Sequence, residues 1–277
     1  MQKPIFQSVD QLFTIYQGDC NDFLPFFENQ FDLIFADPPY FLSNNGLSIQ
    51  NGKITSVNKG EWDKEANIND IDEFNEQWIK NAKKSLKDNG TILISGTYHN
   101  IFSLGRILQK LDFKILNIIT WQKTNPPPNF SCRYLTHSAE QIIWARKSEK
   151  HPHFFNYELL KKINDDRQMR DIWTFPAIAP WEKTQGKHPT QKPLKLLVRL
   201  ILMATDKNAK IADPFAGSAS TGIAANLLGR SFVGFEKESD FINLAMARKK
   251  ELEKNPLFFK NKIEDLKFLN SFLLERN

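Results

Sequence analysis

The run Phe31-Asp32-Leu33-Ile34-Phe35-Ala36 ends in Asp37-Pro38-Pro39-Tyr40. Two consecutive prolines have no N–H to donate and hold φ near about −65°, so a strand here opens into a stiff loop that offers acceptors only. An acidic side chain, a bare carbonyl and an aromatic ring converge within four residues. That set suits a planar base carrying an exocyclic amino group. The Asp37 carboxylate and Pro38 carbonyl accept its two N–H bonds, and Tyr40 stacks on its face. The plain alternative is a proline turn capping a strand, because so short a motif needs context.

The context lies late in the chain. Lys210-Ile211-Ala212 reads as a short buried strand running into Asp213-Pro214-Phe215-Ala216-Gly217-Ser218-Ala219-Ser220-Thr221-Gly222, a small-residue loop that opens a helix. This is the strand, loop and helix layout of a nucleotide-binding α/β unit, but the G-x-G-x-x-G spacing fails and no pyrophosphate cradle follows. A second strand, Ser231-Phe232-Val233-Gly234-Phe235, ends in Glu236. An acid about 20 residues past a glycine loop is where ribose hydroxyls are held. A nucleoside without phosphates, such as S-adenosylmethionine, fits both observations.

With His188-Pro189-Thr190-Gln191-Lys192-Pro193 between these motifs, the chain resembles the β-class amino-methyltransferases that modify adenine in DNA. The motif order is theirs: D-P-P-Y, a target-recognition segment, H-P-T-Q-K-P, then the cofactor loop. The likeness extends through Gly18-Asp19-Cys20, Trp121 to Asn129 and Ser131-Cys132-Arg133-Tyr134, and is strongest to the branch that methylates GATC and accompanies restriction systems. The resemblance implies a cofactor set of Asp19, Cys20, Asp37, Thr190, Lys192, Asp213, Phe215, Gly217, Ser218, Ser220 and Glu236. Thr190 and Lys192 meet the cofactor's carboxylate, Glu236 the ribose, Asp19 the adenine amine, and Phe215 the adenine or sulfonium. It implies Lys123, Asn125, Arg133, Arg146 and Lys147 on DNA, with Asp37, Pro38, Pro39 and Tyr40 at the reaction. The family usually has a glycine where this chain has Ala219, whose methyl is expected to crowd the cofactor or force φ below zero. An N4-cytosine methyltransferase stays open, although its motif more often starts with Ser, as does a non-catalytic DNA-binding subunit.

With 277 residues, 41% of them hydrophobic, the chain can bury an ample core as one catalytic domain over residues 1–277. The net charge of +5 favours a polyanionic partner. Double-stranded DNA is expected, with single strands left open and a cognate restriction endonuclease as genetic partner. No stretch reaches the ~20 apolar residues of a membrane span, and a cytoplasmic location is expected. Cys20 and Cys132 follow Asp19 and Ser131 rather than a proline, so neither matches the thiolate nucleophile that methylation of a cytosine ring carbon needs. The five histidines lack ligand spacing with a third acidic ligand, and no metal is expected.

The elements that must position these motifs follow from short apolar runs alternating with helical periods. Strands are predicted at 13–16, 31–36, 91–95, 114–120 and 141–145 and near Ile211 and Val233. Helices are predicted at 73–86, 100–111 and 193–204 and from Ser220 and Asp240. The fold class is α/β: a doubly wound, mostly parallel sheet of Rossmann-like methyltransferase type, circularly permuted, with an inserted recognition segment. Residues 41–69, rich in Asn, Gly and Lys, read as a mobile DNA-facing loop or a functionless connection. Residues 146–187 mix Arg and Lys with Phe154, Phe155, Tyr157, Trp173 and Trp181, and read as target recognition, the aromatics reaching bases or filling a small core. Residues 257–277 form an amphipathic helix that packs on the body or on a second copy, leaving a homodimer open.

Overall fold

The computed structural model describes residues 3–40, 47–50, 53–56, 67–129, 131–186 and 188–274. Among these, nine strands form one sheet. They are β1 (Phe6–Gln7), β2 (Phe13–Gln17), β3 (Phe31–Ala36), β6 (Leu86–Gly96), β7 (Lys114–Lys123), β8 (Ala139–Arg146), β9 (Ile172–Phe175), β10 (Lys210–Asp213) and β11 (Ser231–Glu236), in the order β1-β2-β11-β10-β3-β6-β8-β7-β9. Parallel pairing runs unbroken from β2 to β6, while β8 lies antiparallel to both β6 and β7. The mostly parallel, doubly wound sheet is therefore present. A separate hairpin of β4 (Leu47–Gln50) and β5 (Lys53–Ser56) falls within the expected mobile loop, most of which lies outside the described residues.

From Leu33 to Ala36 the side chains of β3 alternate between two cores, as a buried central strand requires, after a register shift between Phe31 and Leu33. Leu33 and Phe35 join a cluster with α5 (Leu194–Ala204) and α6 (Ser220–Leu227). Phe31, Ile34 and Ala36 join the opposite cluster, with α1 (Cys20–Phe23), α2 (Ile68–Ser85) and α3 (Ile101–Lys110). β3 leads by α2 to β6 on one side, and β10 leads by α6 to β11 on the other. Their diverging loops leave a crevice at the carboxyl edge of the sheet, the usual ligand position in open α/β sheets. The α5 sequence, LKLLVRLILMA, is apolar nearly all round and is correspondingly buried.

Three expectations are corrected. β6 starts at Leu86, directly after α2, because the polar Lys87-Asp88-Asn89-Gly90 stretch that apolar patterning passes over is taken into the strand, with Lys87 paired to Asp32 at 2.7 Å. The segment 146–187 is not set apart from the α/β body. It holds α4 (Tyr157–Ile163) and β9, which pairs with β7 and buries Trp173 and Phe175. The C-terminal helix is two, α8 (Pro256–Asn261) and α9 (Asp265–Leu274), following α7 (Ser239–Lys254). Between them Arg199 grips the buried Asp265 through two 2.8 Å bonds, and Trp181 packs edge-on against Phe258 and Phe259.

Candidate active site

Asp37 stands at the carboxyl end of β3 with both oxygens engaged. The Tyr40 hydroxyl donates to Oδ1 at 2.7 Å and the Lys192 ammonium to Oδ2 at 2.5 Å. Tyr40 is buried, its hydroxyl also 3.2 Å from Ser95 Oγ, and Lys192 Nζ sits 5.5 Å from its ring centre. Burial raises the phenol well above its usual range, and the Asp37 and Glu140 charges push it further, so it stays a neutral donor. Burial alone would lower the Lys192 ammonium, but Asp37 and Glu140 outweigh it and hold the group charged.

The Lys192 ammonium, expected at the cofactor's carboxylate, is seated on the D-P-P-Y acid while still lining the crevice. The reason lies in chain geometry: Pro193 opens α5, and the side chain before it points across the crevice floor to β3. Glu182 anchors that turn, its Oε2 accepting Leu194 N–H at 2.8 Å and its Oε1 accepting Ala179 N–H at 3.1 Å.

Across the crevice the loop after β10 turns tightly. Gly217 has φ +50°, and a Cβ there would come within 2.8 Å of His188 Nε2, so only glycine fits. Ala219 has φ +52° and ψ +39°, so its methyl has not forced φ below zero as expected. That methyl is fully buried, and the surrounding packing over-determines the left-handed turn. Arg248, which sequence reasoning missed, braces this turn from behind. Its Nη1 donates to Ser218 O, Ser218 Oγ and Ser220 Oγ at 2.7, 2.9 and 2.8 Å. The hydroxyls of Ser218 and Ser220 thereby accept from Arg248, and each keeps its own O–H to donate. Burial pushes the guanidinium down to about 10, which leaves it charged at neutral pH.

Glu236, at the end of β11, is held by backbone donors. Oε2 accepts Gly217 N–H at 2.7 Å, and Oε1 accepts Lys237 and Glu238 N–H at 2.9 Å each. Burial raises its carboxyl despite these bonds, and Oε2 keeps a lone pair toward the crevice. Asp19 caps α1 through Asn21 N–H at 2.8 Å and pairs with Lys237 at 2.7 Å. Burial works against its ionisation, but the Lys237 ammonium and the Asn21 N–H prevail and hold the carboxyl below its usual value. Burial raises the Cys20 thiol, and the neighbouring Asp19 charge adds to it. Asp213 accepts Phe215 N–H at 3.0 Å and the Thr221 hydroxyl at 2.7 Å, and burial pushes it up to about 7. Phe215 lies edge-on to Trp78, and Thr190 N–H meets His188 Nδ1 at 3.3 Å. Gly18, Asp19, Cys20, Asp37, Thr190, Lys192, Asp213, Phe215, Gly217, Ser218, Ser220 and Glu236 all line the same crevice.

The expected DNA residues are dispersed. Arg133 is exposed on the loop between β7 and β8, beside the carboxyl edge. Lys123 donates to Glu140 Oε1 at 2.6 Å, and Asn125 Oδ1 accepts Ala177 N–H at 2.9 Å, so both brace protein. Arg146 and Lys147 end β8, which runs antiparallel to β6, and so stand at the opposite edge of the sheet. Lys147 is held there by Leu86 O at 2.6 Å and Asp88 at 3.1 Å. Position in sequence hid this, because one strand length separates β8's two ends.

A nucleoside crevice facing an acid-proline-proline-tyrosine loop across neighbouring parallel strands defines a methyltransferase of exocyclic amines. Residues 31–247 match the family described as DNA methylase, and the chain belongs to that family: it is a DNA methyltransferase. It is 60% identical over 251 residues to the Type II methyltransferase M2.MboI of Moraxella bovis, covering 90% of this chain and 92% of that one. It is 54% identical over 218 residues to M2.DpnII of Streptococcus pneumoniae, covering 78% and 81%. Among solved structures it is similar to the M1.HpyAVI–SAM complex, with TM-score 0.66 and 26% identity over 85% of this chain and 98% of that one. The cytosine-N4-specific PvuII methyltransferase, at TM-score 0.70 and 20% identity over 97% and 93%, shares the fold. Among the described residues no helix is long and apolar enough to cross a membrane.

Proposed function

We propose that this chain methylates the N6 amino group of adenine within GATC in double-stranded DNA, using S-adenosylmethionine, as the modification arm of a restriction system. The observation that carries the reading is the placement of Asp37 and Glu236 in one crevice, at the carboxyl ends of β3 and β11 with only β10 between them. The residues fit the cofactor. The left-handed turn at Gly217 lets the His188 ring close against the loop where a Cβ would collide with it, and the Asp19, Asp213 and Glu236 carboxyls suit a cationic nucleoside with a ribose diol and an amine. With Lys192 on Asp37, Thr190 and His188 are left to meet the cofactor's amino-acid end. Asp37 favours adenine over cytosine, whose N4-specific enzymes more often place Ser there. GATC rests on the likeness of the Trp121 to Tyr134 stretch and the 146–187 segment to that branch.

When bound, the cofactor supplies an electrophilic methyl group. The amine it meets is a poor nucleophile, because its lone pair is delocalised into the ring. Asp37 and the Pro38 carbonyl accept its two N–H bonds, localise that lone pair and stabilise the positive charge that builds on nitrogen. The methyl–sulfur bond would break as the nitrogen–methyl bond forms, a neutral thioether would leave, and the surplus amine proton would pass by way of Asp37 to water. Holding the reactants in line at about 3 Å supplies much of the remaining rate. Base extrusion costs a few kcal/mol, part of it offset by the Tyr40 ring.

Nucleoside mass spectrometry on DNA from expressing cells, together with digestion by a nuclease blocked by adenine methylation at GATC, tests the reading. N6-methyladenine with protection is expected. N4-methylcytosine would replace the base assignment, and N6-methyladenine without protection would remove GATC. The same reading gives a cognate endonuclease as genetic partner and leaves monomer or homodimer to be decided by light scattering.

A further inference from the structure

Glu140 belongs to no motif, yet it lies at the amino end of β8, beside the crevice wall, opposite Trp121 of β7. Because β8 runs antiparallel to its neighbours, this end of the strand shares the carboxyl edge with Asp37 and Ser95. Its side chain is 13% exposed, that of Lys192 6%. Oε1 takes the Lys123 ammonium at 2.6 Å. Oε2 is buried without a hydrogen bond and lies 3.5 Å from Lys192 Nζ. Lys192 in turn donates to Asp37 at 2.5 Å and approaches Tyr40 Oη at 3.3 Å. Charges thus alternate from Asp37 to Lys192 to Glu140 to Lys123. One ammonium is shared unequally between two buried carboxylates, one of which has an oxygen to spare.

We propose that Glu140 is a positioning residue for methyl transfer, the alternative seat to which the Lys192 ammonium moves when a substrate amine binds Asp37. A buried carboxylate oxygen held only by a long contact to its counter-ion gains when that ion draws closer. Lys192 moves only roughly 0.7 Å from its 3.5 Å separation to make an ordinary charge-assisted bond to Oε2. That movement lengthens and weakens the Lys192 bond to Asp37 Oδ2, easing its competition with the amine N–H, without leaving any buried charge unpaired, a loss that would otherwise be severe. Lys123 keeps Glu140 ionised and oriented. Burial opposes that ionisation, but Lys192 and then Lys123 outweigh it and hold the carboxyl below its usual value. The groups facing Glu140 are thus Lys192, Lys123 and, through Lys192, Asp37 and Tyr40.

The inference rests on the reading of Asp37 as the amine acceptor, so the experiment carries Asp37→Asn alongside. The full-length protein is assayed under single turnover on duplex DNA holding the target, with cofactor and DNA affinities measured separately. Glu140→Gln, isosteric but neutral, is expected to lower the transfer rate at least tenfold while both affinities stay within twofold. Glu140→Asp, which keeps the charge, is expected to restore the rate to within threefold of wild type. A folded Glu140→Gln protein with a rate within twofold of wild type overturns the proposal, and so does a tenfold loss in a folded Glu140→Asp. If Glu140→Gln does not fold, Glu140→Asp decides alone by the same limits. Full activity in Asp37→Asn would overturn the underlying reading. A dead Asp37→Asn beside an unimpaired Glu140→Gln would remove only the role of Glu140.

Discussion

Asp37 meets two donors before any substrate arrives, and the strengths of those bonds set what a substitution there will do. Asp37→Ala removes the acceptor while the cofactor's proposed contacts at Glu236, Asp19 and Thr190 stay in place. Transfer should be abolished, with cofactor affinity by calorimetry retained within a few-fold. Lys192→Met should follow the same pattern, losing turnover and not cofactor affinity, because its ammonium lies on Asp37. A large loss of cofactor affinity in Lys192→Met would return the residue to the cofactor's carboxylate. Asp213 offers a test by pH. Its folded carboxyl is raised to about 7 from an ordinary value of 3.8, so the folded state binds the proton more tightly than the unfolded one. This group's contribution is fully present below about pH 4 and is lost as pH rises toward 7. Asp213→Asn can keep both bonds, accepting from Phe215 N–H and donating to Thr221, without ever ionising. Urea denaturation should show the variant gaining on wild type between pH 4 and 7, with a constant difference above.

At the scale of elements, the loop from β10 into α6 is a turn held from outside. Arg248 reaches it from the middle of α7, and Arg248→Met would leave the Ser218 carbonyl and two buried hydroxyls unpaired. The expected cost is ~1–3 kcal/mol in stability, with weakened cofactor binding. Unchanged cofactor affinity would show that the loop keeps its shape unaided. Ala219→Val should be worse than this, since a β-branched residue at φ +52° is strained and the site is fully buried. These elements also show what the sequence made legible. The strands β3, β10 and β11 were readable because short apolar runs ended in chemistry-bearing residues, and α5 because its apolar positions ran on after Pro193. β9 was not, since Ile172-Trp173-Thr174-Phe175 sat among basic residues and its alternation is only four residues long. The reach of Arg248 and Glu140 into the site had no signal, because both depend on which strand or helix lies alongside. Lys123 and Asn125 were placed on DNA by the family resemblance, whereas their polar atoms satisfy neighbouring strands and loops.

For the molecule as a whole, the two edges of the sheet separate chemistry from support. Arg133 lies by the carboxyl edge, and Arg146 and Lys147 at the far one. Arg133→Ala should weaken DNA binding. If it pairs with a guanine edge, the loss is ~1–3 kcal/mol at one position of the target. If it holds a phosphate, binding falls evenly and the salt slope drops by about one. Lys147→Ala should leave DNA affinity and salt slope unchanged, and a fall in either would mean that duplex DNA wraps around the sheet. The strand order has one more consequence. β2 and β3 are made early but never touch, because β11 and β10, the last two strands of the described chain, fill the gap between them. During synthesis each therefore waits with an open edge for partners still inside the ribosome, and such edges invite mispairing. Growth of this protein in cells should depend on chaperones that shield nascent strands, and a nonsense codon just before Lys210 should yield an insoluble fragment even though the D-P-P-Y loop is already complete.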